Sequence, residues 1–147
     1  GKLKAIITQN IDGLHQAAGS KNVFELHGSV HRNYCQKCGK FFDVNYVVNA
    51  KGVPYCDECG GIIKPDVVLY EEGLDSQTIN GAVRAISKAD MLIIGGTSLV
   101  VYPAAGMIDY FKGKYLAVLN RDATSRDKQA DLCITDPIGE VLGRIRV

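Results

Sequence analysis

The sequence predicts an α/β protein, a parallel sheet with helices on both faces that carries a small cysteine-bearing insertion. Three observations lead there. Short apolar runs alternate with amphipathic helical segments, and polar or glycine-rich clusters close those runs. Four of the five cysteines stand in two pairs, Cys35-Gln-Lys-Cys38 and Cys56-Asp-Glu-Cys59. Strands that are apolar throughout belong in a sheet covered on both sides, because neither face meets water. A chain of 147 residues suits one domain with at most a small insertion.

Each element follows from local pattern. Leu3 to Thr8 is a short, β-leaning apolar run that ends in Gln9-Asn10-Ile11-Asp12-Gly13. Val23-Phe24-Glu25-Leu26 alternates and leads into His27-Gly28. After the cysteine segment, Pro65 introduces a strand-like run, Val67-Val68-Leu69-Tyr70. Ser76 to Ala89 reads as a helix with Ile79, Val83 and Ile86 on one face, and Asp75 or Ser76 is placed to cap it. Met91 to Ile94 is a buried-type strand closed by Gly95-Gly96-Thr97-Ser98. Pro103 suits the first position of a helix carrying Met107, Ile108 and Phe111. Tyr115 to Leu119 is a further strand, ending at Asn120-Arg121-Asp122. Leu132 to Thr135 reads as the last strand, with Cys133 in its core, and Ile138, Val141, Leu142 and Ile145 mark a closing helix.

The cysteine spacing points to zinc. Two residues inside each pair let both thiolates of a tight turn face one ion, and the 17 residues between the pairs (39–55) let the second pair complete a tetrahedron. Gly39 and Gly60-Gly61 follow the pairs and suit turns that aim N–H groups at sulfur. Four thiolates leave no open position for a substrate, so the metal is structural and braces a poorly cored module. A redox dithiol role for the pairs is the competing reading; tightly held metal separates the two.

Composition narrows the function classes. The chain is 46% hydrophobic with a net charge of +1, which argues against a general nucleic-acid or membrane surface. Its longest apolar run is far too short to cross a bilayer, and no signal peptide or low-complexity tract is evident. Reduced cysteine pairs fit the cytoplasm.

In parallel sheets ligands bind beyond the carboxyl ends of the strands. The clusters at 9–13, 95–98 and 120–122 stand at three such ends, and a single shared edge would make a nucleotide site. At Gly95-Gly96-Thr97-Ser98, glycine permits close backbone approach to a phosphate or ribose and two hydroxyls donate hydrogen bonds. Asn120 alone is a routine turn residue. GxGxxG and Walker patterns are absent. Of the three histidines, His27 sits at an element end beside Gly28, where an imidazole would serve as a general base near neutral pH; His15 and His31 read as structural or surface residues.

Taken together, Thr8-Gln9-Asn10-Ile11-Asp12-Gly13-Leu14-His15, Leu26-His27-Gly28, the two cysteine pairs, Lys64-Pro65-Asp66-Val67-Val68-Leu69-Tyr70-Glu71-Glu72 and Gly96-Thr97-Ser98-Leu99 with Pro103 resemble the sirtuins, the NAD-dependent protein lysine deacylases, in the family's order and over essentially the whole chain. The resemblance implies a Rossmann-like NAD-binding domain from residues 1–31 and 64–147, and a structural zinc module from 32–63. It implies NAD and an acylated lysine of a protein or peptide in a cleft between the two. The acyl oxygen attacks the nicotinamide ribose, nicotinamide leaves, and an alkylamidate forms. His27 is then the base on a ribose hydroxyl, and water completes release of lysine and O-acyl-ADP-ribose. Gln9, Asn10, Ile11 and Asp12 match the nicotinamide and ribose segment; Gly96, Thr97 and Ser98 match the phosphate loop. Asn120 and Arg121 match the adenosine-ribose contact, with Pro137 near the adenine. Substrate peptide would add as a strand between Val68-Leu69-Tyr70-Glu71 and Leu99-Val100-Val101. Where the family has Phe-Gly, this chain has Tyr70-Glu71.

One departure is an absence. The family's first strand and its glycine-rich GAGxS loop do not precede Leu3, and the chain begins with Gly1. The resemblance therefore implies an incomplete cofactor cradle, poor turnover by these residues alone, and exposed sheet edges that invite a complementing N-terminal segment or self-association. The alternative class is a zinc-ribbon protein-binding module without catalysis, which would leave the TQNIDGLH and GTS segments without a purpose.

Overall fold

Two kinds of sheet, parallel and antiparallel, divide the chain in the computed structural model, which describes residues 1–145. The backbone forms two units, Gly1–Asn80 and Gly81–Val147. In the first, β1 (Ile6–Thr8) and β2 (Val23–Glu25) pair in parallel with Ile6 opposite Val23 and Thr8 opposite Glu25. The crossover between them is short: α1 (Leu14–Ala17) starts where Asp12 Oδ1 accepts the Leu14 N–H and ends before Gly19, whose φ is 88°. The strand expected over Leu3 to Thr8 is confined to its last three residues.

The antiparallel sheet has the order β4–β3–β5, from β3 (Gly28–Cys35), β4 (Phe41–Asp43) and β5 (Ile63–Val67). Alternation along β3 buries Ser29, Asn33 and Cys35 and turns His31 and Tyr34 outward. Its register against β5 shifts between Ser29 and Asn33, a bulge that frees Val30 to Arg32 from that partner. Asp43 caps α2 (Val44–Val48) by accepting the Tyr46 N–H. The buried cluster here is Cys35, Phe42, Cys56 and Ile63, so half of the module's core is cysteine.

The strand expected over Val67 to Tyr70 ends at Val67. One more bond, Val68 N–H to the His27 carbonyl, continues the line; the chain then turns, with the Glu72 carboxylate accepting the Leu69 N–H and Glu71 at φ 70°. Side-chain capture of the Leu69 N–H ends the ladder despite good β propensity in the sequence. Downstream, α3 (Ser76–Ser87) is capped by Asp75 and buries Ala82 and Ile86; the boundary between the units falls within it.

In the second unit β6 (Met91–Gly95), β7 (Tyr115–Leu119) and β8 (Leu132–Ile134) form a parallel sheet in that order. The central strand β7 is buried from Leu116 to Leu119, as a doubly covered strand requires. The two outer strands are not: Met91 and Ile93 are 47% and 45% exposed. Ile94, Leu116 and Val118 form the core, with Leu92, Ile108 and Phe111 packed against it. Cys133, read as a core residue, is exposed, because β8 is an edge strand with one long side unpaired among the described residues. The helix expected after Pro103 is a 3-10 helix, Ala104–Tyr110, with Pro103 as the residue before it and a cis Tyr102–Pro103 bond. Gly106, a poor α-helix former, lies inside it. A second short 3-10 turn spans Asp127–Gln129, and α4 (Ile138–Gly143) closes the described chain.

Candidate functional site

The two cysteine turns are near copies of each other. Gly39 N–H donates to the Cys35 carbonyl and Gly60 N–H to the Cys56 carbonyl, with φ of 73° and 68° at the glycines. Positive φ lets each turn close under its sulfurs, where a β-carbon would be strained. The four Sγ atoms lie within 4.8 Å of one another, Cys35 to Cys59 at 3.4 Å and Cys38 to Cys56 at 3.7 Å. A tetrahedral zinc with Zn–S of about 2.3 Å would set its sulfurs about 3.8 Å apart. The arrangement fits one structural zinc ion, and the four cysteines are placed to bind it. Gly61 is part of that fit, since a Cβ there would meet Cys35 Sγ at 2.7 Å.

The electrostatics of the cluster point the same way. The Cys38 N–H and the Lys37 N–H favour the Cys35 thiolate and bring that thiol down to about 6. Cys38 receives the Lys40 N–H, yet its crowded thiol neighbours and partial desolvation push it up to about 12. Four thiols this close cannot all ionise without a cation between them. Outside the cluster, Lys40 Nζ reaches Asp57 Oδ1 at 2.7 Å and Glu58 Oε1 at 2.8 Å, tying the first turn to the second. That contact holds the Asp57 carboxyl below its usual range.

His27 stands between β2 and β3. The pairing of β1 with β2 extends one step, Leu26 N–H to the Thr8 carbonyl at 2.9 Å, and brings His27 beside Gln9. His27 Nδ1 lies 3.1 Å from the Gln9 carbonyl oxygen. A carbonyl only accepts, so Nδ1 carries the proton and Nε2 is left as the basic nitrogen. Behind it, Gly28 has φ 75°, and a Cβ there would fall on the Asp66 carbonyl oxygen. Glycine is therefore required where the chain leaves His27 for β3. Thr8 Oγ1 accepts the Asn10 N–H at 3.0 Å, turning the Gln9–Gly13 segment away from β1.

In the second unit the expected loop residues converge on Asn120. Gly96, at φ 62°, donates its N–H to the Leu119 carbonyl, and the Thr97 N–H donates to Asn120 Oδ1 at 3.0 Å. Asn120 N–H donates to the Ile134 carbonyl, and its Nδ2 to the Asp122 carbonyl. Gly96, Thr97, Ser98 and Asn120 thus share the carboxyl ends of β6 and β7, with one side chain locking two loops. Arg121 extends into solvent beside Asp122, and Pro137 is the residue before α4. Of the segments expected to flank a peptide, Leu69, Tyr70 and Val100 are exposed and carry no strand hydrogen bonds, while Leu99 holds φ 55°.

Sequence reasoning passed over several contributors. Ser29, 2% exposed, reaches the Ile11 carbonyl through Oγ. His31, read as a structural or surface residue, contacts the Asp12 carbonyl. Arg32 bridges Glu25 Oε2 at 2.7 Å and Asp66 Oδ2 at 2.8 Å, linking β2, β3 and β5 on either side of His27. The polar alternation after Gly28 was a visible signal, but apart from Glu25 its partners lie 18 to 34 residues away.

The chain matches the Sir2 family over residues 1–103. It is 68% identical over 143 residues to an NAD-dependent protein deacetylase of Clostridium acetobutylicum, covering 97% of this chain and 58% of that protein. It is 67% identical over 146 residues to one from Clostridium perfringens, covering 99% of this chain and 60% of that protein. A solved structure described as a Sir2–p53 peptide–NAD+ complex superposes with a TM-score of 0.88 at 39% identity, over 97% of this chain and 61% of that one. The chain thus spans about 60% of the length of the curated relatives it matches.

Proposed function

Because the chain belongs to the Sir2 family, we propose that it supplies the catalytic base, the structural zinc and part of the cofactor site of an NAD-dependent protein lysine deacylase. The observation that carries the reading is the contact of His27 with Gln9, which leaves a basic Nε2 on the segment Gln9 to Gly13, beyond the carboxyl ends of two parallel strands. NAD, when bound, supplies the ribose that accepts the acyl group, with nicotinamide as the leaving group. His27 Nε2 takes the proton from a ribose hydroxyl. Gln9, Asn10, Ile11 and Asp12 hold the nicotinamide side. Gly96 lets the backbone approach phosphate and ribose, to which Thr97 and Ser98 offer hydroxyl donors; Asn120 and Arg121 serve the second ribose, and Pro137 lies toward the adenine. The acyl-lysine peptide runs against Val68 to Glu71 and Leu99 to Val100.

In this reading residues 1–31 and 64–147 contribute the NAD-binding domain, and 32–63 form the zinc module. The substrates are acyl-lysine proteins or peptides, the acyl group is transferred to ADP-ribose, and the enzyme works in the cytoplasm without direct nucleic-acid binding. No described helix is long and apolar enough to cross a membrane. The test is His27→Ala in the full natural polypeptide, which should abolish NAD-dependent release of lysine from an acetylated peptide while zinc content stays at one per chain. Retained activity in that variant would remove His27 from the mechanism.

A further inference from the structure

The bulge in β3 gives up pairing with β5 over Val30 to Arg32 and spends those residues on the Gln9–Gly13 segment instead. Val30 N–H donates to the Ile11 carbonyl at 3.1 Å. His31 Nε2 lies 2.9 Å from the Asp12 carbonyl oxygen, and its backbone N–H donates to Ser29 Oγ at 3.2 Å. The imidazole also covers Gly13, where a Cβ would meet His31 Cδ2 at 2.8 Å. Asn33 closes the bulge from behind, with Nδ2 donating to the Val30 carbonyl. Bulges re-aim side chains in this way by inserting unpaired residues that bend the strand.

We infer that His31 is a positioning residue: it clasps the Asp12–Gly13 turn by donating from Nε2 to the Asp12 carbonyl, and so holds Asp12 in register for the nicotinamide end of NAD. Asp12 has a second constraint in the same turn, the bond from the Leu14 N–H to Oδ1. Without the His31 clasp that local bond remains, but the turn is tied to β3 only at the Ile11 carbonyl, by the Val30 N–H and Ser29 Oγ. His31 touches none of the reacting atoms in this scheme. A carbonyl requires a donor, so the role belongs to any side chain that presents an N–H at that reach, and glutamine satisfies it.

The inference rests on the deacylase reading for its kinetic consequence, and the experiment separates the two. In the full natural polypeptide, His31→Ala should raise the KM for NAD by about three- to tenfold, the worth of one net hydrogen bond, with kcat and the KM for acetylated peptide unchanged. His31→Gln should restore most of the loss. Hydrogen exchange of the backbone amides at residues 11–14 should quicken by a similar factor in His31→Ala and recover in His31→Gln, at unchanged zinc content. Unaltered exchange in His31→Ala overturns the clasp. Faster exchange with an unchanged KM for NAD overturns its link to the cofactor. If the wild-type protein uses no NAD, the deacylase reading and that link fail together, and the exchange measurement still decides the clasp.

Discussion

Removing the metal should unfold residues 35–63 and leave the β6–β7–β8 sheet folded. The buried cluster of the module contains Cys35, Phe42, Cys56 and Ile63. Fully burying an apolar side chain contributes about 1.5–3 kcal/mol, so Phe42 and Ile63 together supply about 3–6 kcal/mol. A structural zinc site is worth about 10–16 kcal/mol near neutral pH. The metal term is larger than the apolar term, and the ion pairs of Lys40 with Asp57 and Glu58 are exposed and of little worth. Titrating the protein with a chelator while recording amide NMR spectra should therefore collapse the dispersion of β4, α2 and the two cysteine turns, while Met91–Gly95 and Tyr115–Leu119 keep theirs. A fully dispersed spectrum for the zinc-free protein would refute the argument.

The same experiment has a pH arm with a definite sign. Zinc takes thiolates, and Cys38, pushed up to about 12, and Cys59, also raised, must each give up a proton on binding near neutral pH. Those two protons make apparent affinity fall at least about a hundredfold for each unit the pH is lowered. Cys35, brought down to about 6, adds a further proton only below that value. Zinc affinity that does not weaken on acidification would contradict the assignment.

Gly28→Ala should destabilise by at least about 2 kcal/mol, from left-handed strain and a collision with the Asp66 carbonyl; a urea midpoint within error of wild type would show that β3 can leave β5 freely. Leu116→Ala, which opens the core around Ile94 and Val118, should cost about 2–5 kcal/mol, read as a shifted urea midpoint at constant slope. Asp75 accepts the Thr78 N–H and hydroxyl, which hold its carboxyl below the usual range. Its folded pKa is depressed, so its stabilisation is present above the ordinary aspartate value of about 4 and lost as the pH falls through the lower folded one. Asp75→Ala should accordingly lower the Tm at neutral pH and match wild type in stronger acid; a constant gap at every pH would exclude the cap.

Much of the fold was legible because its signals are local. Tyr115–Leu119 falls where an uninterrupted apolar run placed it, and the helix from Ser76 begins at its aspartate cap. Errors arose where distant partners intervened. Val68 to Tyr70 has strand propensity, but Glu72 and the Glu71 turn take its backbone. Cys133 looks like a core residue in sequence, yet an edge strand leaves it exposed. Burial depends on how many neighbours a strand has, which composition does not record.

By itself the sequence determined the metal ligands, since two residues between paired thiols and a glycine after them are short-range geometry. It also determined the alternation of strands and helices and the segments that resemble a deacylase. Only the tertiary structure decided which nitrogen of His27 is basic, that Gly28 must lack a side chain, and that His31 grips the Asp12 turn. Those facts rest on contacts across 18 to 38 residues of chain, from His27 to Gln9, His31 to Asp12 and Gly28 to Asp66. Pairing and bulges bring such residues together, and no spacing along the chain encodes that by itself.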